Sequence, residues 1–326
     1  MKARIVFLLL FFLLVSDVFS FGRGRRRVCE FTPRWKSITT WGGHGAFYVG
    51  TYIPLYSVWY KDYPKTSFHF FNDNNEWRSM DKMGHTYTGF KLASFSYRTL
   101  DWAYPFNACS QLKNDRKKTY IASAYSMLYL TTLEIFDGFS SGWGFSGGDM
   151  AANTIGIGLF AGQKAFCREI FMRPKFSYHA TNYPNYRPEL LGTGTAERGL
   201  KDYNGQTYWL SISIPFEVAE LSKFKWIAFS VGYNASGMTG GSHNPSVNQA
   251  GAVIPYSERT SSTLLSMDID WERFRFMQHG LSMYRTKKDK KVWLRILLIA
   301  LNTVKLPFPA VEFVHGGKTK FHWFYF

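Results

Sequence analysis

The chain has 326 residues, enough for one large domain or two ordinary ones, and 39 Lys and Arg against 23 Asp and Glu give a net charge of +16. Three cysteines without a CxxC spacing exclude a disulfide framework and a zinc-ribbon site, leaving room for one bridge whose partners the sequence does not choose. Such a charge inside a cell would suggest nucleic acid, but the first residues read as an export signal, which moves the counter-charge to anionic lipid headgroups or lipopolysaccharide phosphates.

That signal consists of Lys2 and Arg4, the uncharged run Ile5–Ser16, and Val18-Phe19-Ser20 before a cleavage point near Phe21. The run is shorter than the roughly 20 residues a spanning helix needs. Cys29 follows "RRRV" and lacks a lipobox, so lipid attachment is not expected. Residues 1–20 are thus a signal peptide and 21–40 a basic segment, in which "RGRRR" (Arg23–Arg27) is a solvated tail or touches a membrane surface. Aromatic residues make up 19% of the chain, a richness that suits the water–bilayer boundary.

Residues 41–170 read as a helical domain. Trp41–Tyr60 is uncharged and carries Pro54, which should kink it. "FNDNNEWRS" is a loop by composition, and Asp81–Leu100 a second helix. Thr119–Phe136 is the third, and "DGFSSGWGFSGG" has enough glycine to turn tightly. Asp149–Phe166 is the fourth. Gly158 and Gly162 in GxxxG spacing suit close backbone approach, in a membrane bundle or in a soluble core, and the sequence leaves that choice open.

From 171 to 326 the period changes. Lys175–Thr181, Gly205–Ile214, Lys225–Tyr233 and Ser262–Trp271 read as strands. An apolar helix is expected at 292–303, and "AVEFVHGGKTKFHWFYF" is a closing hairpin turning at Gly316-Gly317. Its last strand should set Phe324 and Phe326 on one face and Phe321, Trp323 and Tyr325 on the other. A strand ending on an aromatic residue resembles the last strand of outer-membrane barrels. The fold class is therefore α+β: a small-residue-rich bundle of about four helices joined to antiparallel strands, whose embedding in an outer membrane is left open.

The chemistry-bearing residues lie in two stretches, "DKMGHTYTGF" (Asp81–Phe90) and "EIFDGFSSGWGFSGGDMAANTIG" (Glu134–Gly156). Asp81 and His85 share a helical face, as do Asp149 and Asn153; Glu134 and Asp137 close the third helix. Buried charge is costly unless paired, so His85, Glu134, Asp149 and Asn153 should converge. Ser146 fits an N-cap with Asp149 at the third helical position, and Asp81 suits a first turn. His85 with Glu134 and Asp149 is a weak metal-ligand set, since HExxH spacing is missing, and neither a metal nor a cofactor is expected. Glu134 and His85 alternatively form an acid–base pair. No GxSxG, Walker or Rossmann pattern is present.

These two stretches resemble the YfiM-type family of predicted bacterial envelope lipoproteins, a domain of unknown function. The matching residues are Asp81, Lys82, His85, Glu134, Asp149, Asn153 and Gly156, and "FHFFNDNNEW" and "KDYNGQTYWLS" are similar to a longer Bacteroidetes-type form. A more distant similarity is to VanZ-like membrane proteins. The resemblance implies an exported envelope protein, in the outer membrane or periplasm, with membrane lipids or envelope glycans as partners and no nucleic acid. It carries no established activity. A structural or lipid- and glycan-binding role is expected, with Lys82 and the basic surface meeting anionic groups; the alternative is an envelope lipid- or glycan-modifying enzyme using His85, Glu134 and Asp149.

Overall fold

The computed structural model describes residues 31–61, 63–106, 108–167, 169–214, 224–256, 258–273 and 297–326. The signal segment, Arg23–Arg27 and most of the helix expected at 292–303 lie outside them; of that helix, 297–301 is described and helical. The chain is α+β and divides into two compact units, Met1–Asp73 with His85–Ile170 and Asn74–Gly84 with Phe171–Phe326.

The first unit is built on α1 (Arg34–Leu55), most of α2 (Met80–Ala103), α3 (Asp115–Gly138) and α4 (Gly147–Gly162). Helix α1 begins inside the stretch expected to be a basic tail. Thr40, His44, Phe47, Thr51 and Pro54 recur at spacings of three and four, and that buried stripe carries the helix back past Trp41. Pro54 does not break it: the helix runs on into a π-helical turn, Tyr56–Tyr60. Phe47, Phe90, Phe95, Tyr129 and Phe160 from all four helices make the core. Among the described residues no helix is long and apolar enough to cross a membrane.

The glycines that bring helices together are not the GxxxG pair. Gly158 and Gly162 face open space, whereas a Cβ on Gly156 would stand 2.0 Å from the Thr86 carbonyl oxygen and one on Gly89 2.7 Å from that of Asn153. Backbones of α2 and α4 therefore touch on the face opposite to Gly158. Glycines of the 139–146 loop likewise serve packing: Gly142 and Gly144 lie under the rings of Tyr63 and the β-carbon of Phe71, at 2.4 Å from a notional Cβ, and neither has positive φ.

The second unit is a six-stranded antiparallel meander in sequence order: β1 (Met172–Tyr178), β2 (Gln206–Ser213), β3 (Ile227–Ser236), β4 (Thr260–Ile269), β5 (Phe308–Val314) and β6 (Thr319–Tyr325). The β5–β6 turn uses Gly316 at φ 80°. Between β1 and β2 lie the short helices α5 (Pro188–Leu191) and α6 (Thr195–Lys201). Trp77, Arg78 and Ser79 are all left-handed, a costly run for non-glycine residues. It is held by Trp77 N–H donating to Gly241 O (2.8 Å) and Tyr233 Oη donating to Arg78 O (2.7 Å).

The final strand corrects one expectation. Phe321 and Trp323 share a face, but Tyr325 turns to the other, where Asn234 donates to its hydroxyl and Trp209 packs on its ring. A register shift between Phe308 and Ala310 re-aims the side chain.

Candidate functional site

In α3, Lys118, Ala122, Ser126, Leu130 and Glu134 stand four apart on the buried stripe, so helical period alone puts a carboxyl where an apolar side chain belongs. In α4, Asp149, Ala152, Asn153, Gly156, Ile157 and Phe160 form the corresponding stripe. The close approach at Gly156 sets α4 against α2 just where His85 stands. His85, Glu134, Ser146, Asp149 and Asn153 thus meet inside the first unit.

The imidazole is the hub. Nδ1 of His85 donates to Oδ1 of Asn153 (3.1 Å) and lies 3.5 Å from Oε1 of Glu134; Nε2 lies 3.6 Å from Oδ1 of Asp149. Glu134 is 1% exposed and Asn153 fully buried, while the His85 side chain keeps 21% of its surface. The two carboxylates face different ring nitrogens, so the trio surrounds the imidazole rather than one common point.

Ser146 is the N-cap of α4, accepting from Asp149 N–H (3.1 Å). In a full capping box the third residue would accept from Ser146 N–H in return. Here that amide donates to Oε2 of Glu134 (3.4 Å), which leaves the Asp149 carboxylate to face His85. The Ser146 hydroxyl in turn donates to Asp73 Oδ1 (2.6 Å).

Asp137, Asp81 and Lys82, also singled out in the sequence, have partners of their own. Asp137 accepts from Tyr60 Oη (2.7 Å) at the end of α3. Asp81 and Lys82 open α2 within the second unit, where Tyr203 Oη donates to Asp81 Oδ1 (2.8 Å) and Lys82 Nζ stands 3.3 Å from Asp81 Oδ2. Asp73, Tyr60 and Tyr203 were not legible as partners. Each comes from a loop or helix far away in sequence, and no local pattern marks it.

Burial drives the Glu134 carboxyl up to about 8 from its ordinary 4.5; the His85 imidazole opposes the rise, Asp149 and Asp137 add to it, and the Ser146 amide opposes it. Oε1 of Glu134 and Nδ2 of Asn153 are buried here and make no hydrogen bond among the described residues.

A family model described as a predicted periplasmic lipoprotein (DUF2279) matches residues 69–162. The matched span contains the whole His85 centre. Nothing among curated proteins or solved structures matches the chain. The family description makes this an exported protein of the bacterial envelope, in the periplasm or outer membrane, and it carries no activity.

The raised Glu134 carboxyl has a consequence for stability. The native chain keeps a proton that the unfolded chain releases near 4.5, so the stabilisation is complete below that value and is lost as pH climbs through about 8. Unfolding midpoints of the wild type should therefore fall between about pH 5 and about pH 9, by the equivalent of on the order of 4 kcal/mol. Glu134→Gln keeps the shape without the titration. Its midpoint should fall less than the wild type's over that window and exceed it at the alkaline end; a parallel decline in both proteins would contradict the assignment.

Proposed function

We propose that the His85 centre binds a hydroxyl group of an envelope molecule, carried by a lipid headgroup or by a glycan. The observation that carries this reading is the pair of buried, unsatisfied atoms beside a partly exposed imidazole, Oε1 of Glu134 and Nδ2 of Asn153. A purely structural network satisfies its members, because an unpaired buried polar atom costs about 1–3 kcal/mol. One hydroxyl is both donor and acceptor, so it can complete the carboxyl and the amide together. Such groups line the periplasmic side of an outer membrane, and the net charge of +16 favours residence near anionic headgroups.

A second reading rests on the Glu134 carboxyl at about 8 beside His85. A protonated acid next to an imidazole is the equipment of general acid–base chemistry, which would make the protein a lipid- or glycan-modifying enzyme.

Binding is measured by titrating the purified chain with phosphatidylglycerol dispersed in detergent and, separately, with a soluble N-acetylglucosamine oligomer. His85→Ala and Asn153→Leu should each weaken the probe that binds by about tenfold or more under conditions where the variant is shown by its thermal midpoint to be folded. Wild-type indifference to both probes, or unaltered binding in variants that lose only stability, would leave the centre structural. Release of product from the bound probe, abolished in His85→Ala, would establish the enzyme.

A further inference from the structure

The sheet of the second unit is built inside out. Register carries one row across all six strands as Pro174, Leu210, Val231, Leu265, Val311 and Phe321. The neighbouring row on the other face reads Arg173, Ser211, Ser230, Ser266, Ala310 and His322. Every Asp, Glu, Lys and Arg of the six strands stands on this second face, and none on the first.

The polar face is the buried one. The Lys175 and Asp268 side chains are at most 1% exposed and pair at 2.9 Å, and Ser211 and Ser230 hydroxyls donate to the same carboxylate. Lys305, reaching in from the segment before β5, donates to Ser266 Oγ (3.2 Å) and Met267 O (2.9 Å). The apolar face is the open one: Phe229 is 62% exposed, Met267 52% and Trp323 72%.

A sheet that folds in water covers its apolar face and wets its polar one. This arrangement is the reverse, and it is stable where the surrounding solvent is hydrocarbon. A second copy would hide a patch of the apolar face. It would not account for Arg173, Lys175, Asp268 and Glu312 being gathered into the interior, with Lys320 of β6 the one strand charge left exposed. Strands β3 and β4 have 10 residues each, within the roughly 9–11 that a tilted strand needs to cross a bilayer. Exposed Lys318 in the β5–β6 turn and Lys320 at the start of β6 are placed to meet anionic headgroups.

We infer that the face bearing Val231, Leu265, Phe321 and Trp323 lies against the hydrocarbon of a lipid bilayer. This holds the second unit in the membrane by its strands and is independent of what the His85 centre binds.

The full chain is mixed with phosphatidylethanolamine–phosphatidylglycerol vesicles and floated through a density gradient, then washed with alkaline carbonate. Wild type should float and resist the wash. A Val231→Lys, Leu265→Lys double variant should lose at least about tenfold in the floated fraction, while Gln249→Ala, at an exposed position between β3 and β4, should float and resist the wash as the wild type does. Should the double variant fail to fold, vesicles brominated along the acyl chains provide the second readout. They should quench wild-type tryptophan fluorescence, and less so in Trp323→Phe. Full release of the wild type by carbonate, quenching unchanged by Trp323→Phe, or a soluble dimer that the double variant dissociates would each overturn the inference.

Discussion

Lys175→Met is expected to lower the unfolding free energy by about 3–5 kcal/mol, the cost of leaving one member of a buried ion pair behind. Lys175 Nζ is 2.9 Å from Asp268 and also donates to Ile269 O (2.9 Å), so its removal strands a buried carboxylate that two serine hydroxyls and the Ile269 amide (2.8 Å) still solvate. Methionine fills the volume but offers no charge. A double change, Lys175→Met with Asp268→Asn, removes both charges together and should recover much of the loss, since neutral replacement of a whole buried pair is often tolerated. Chemical denaturation of the three proteins checks this. Equal stability of the single variant and the wild type would mean that Asp268 is solvated by something other than the lysine.

Gly156→Ala is expected to destabilise the helical unit by about 3 kcal/mol, at the upper end of ordinary overpacking. The new Cβ would meet the Thr86 carbonyl oxygen at 2.0 Å and its carbon at 2.9 Å, and both are backbone atoms that cannot rotate away. Helices α2 and α4 must separate, and the Asn153–His85 hydrogen bond should lengthen or break with them. Gly158→Ala, two residues further on and facing open space, is the control. There alanine should be neutral or stabilising by up to about 1 kcal/mol, because it gains helix propensity and meets nothing. Thermal midpoints of the pair give the test, and similar behaviour in both would mean that α2 and α4 do not touch at Gly156.

The contrast between these two glycines shows what the sequence could and could not disclose. Spacing marked Gly158 and Gly162 as a contact motif, yet the contact runs through Gly156 and Gly89. The face that an α-helix presents is fixed by its neighbours, and a four-residue repeat alone does not say which neighbour it meets. Convergence of His85, Glu134, Asp149 and Asn153 was legible, because each interrupts an otherwise apolar stripe and the cost of burying it alone is high. Helix α1 began earlier than its uncharged run suggested: Arg34 and Lys36 sit in a first turn that is largely exposed, ahead of a buried stripe that starts at Thr40. In the second unit the strands were legible to within a few residues. Their inverted faces were not, because β1 alternates Arg173, Lys175 and Ser177 with Pro174 and Phe176 in a pattern that either face could claim. Register against five partners was needed to decide it.

The unreciprocated cap at Ser146 ties the backbone to the acid. Its amide rests on an oxygen of Glu134, while its hydroxyl terminates α4 at Asp149. When the carboxyl gains or sheds its proton, the acceptor strength offered to that amide changes, and the first turn of α4 feels the change through a single residue. A titration inside the unit is thereby transmitted to the segment 139–146 without any hinge, and proton occupancy becomes a mechanical variable of the main chain.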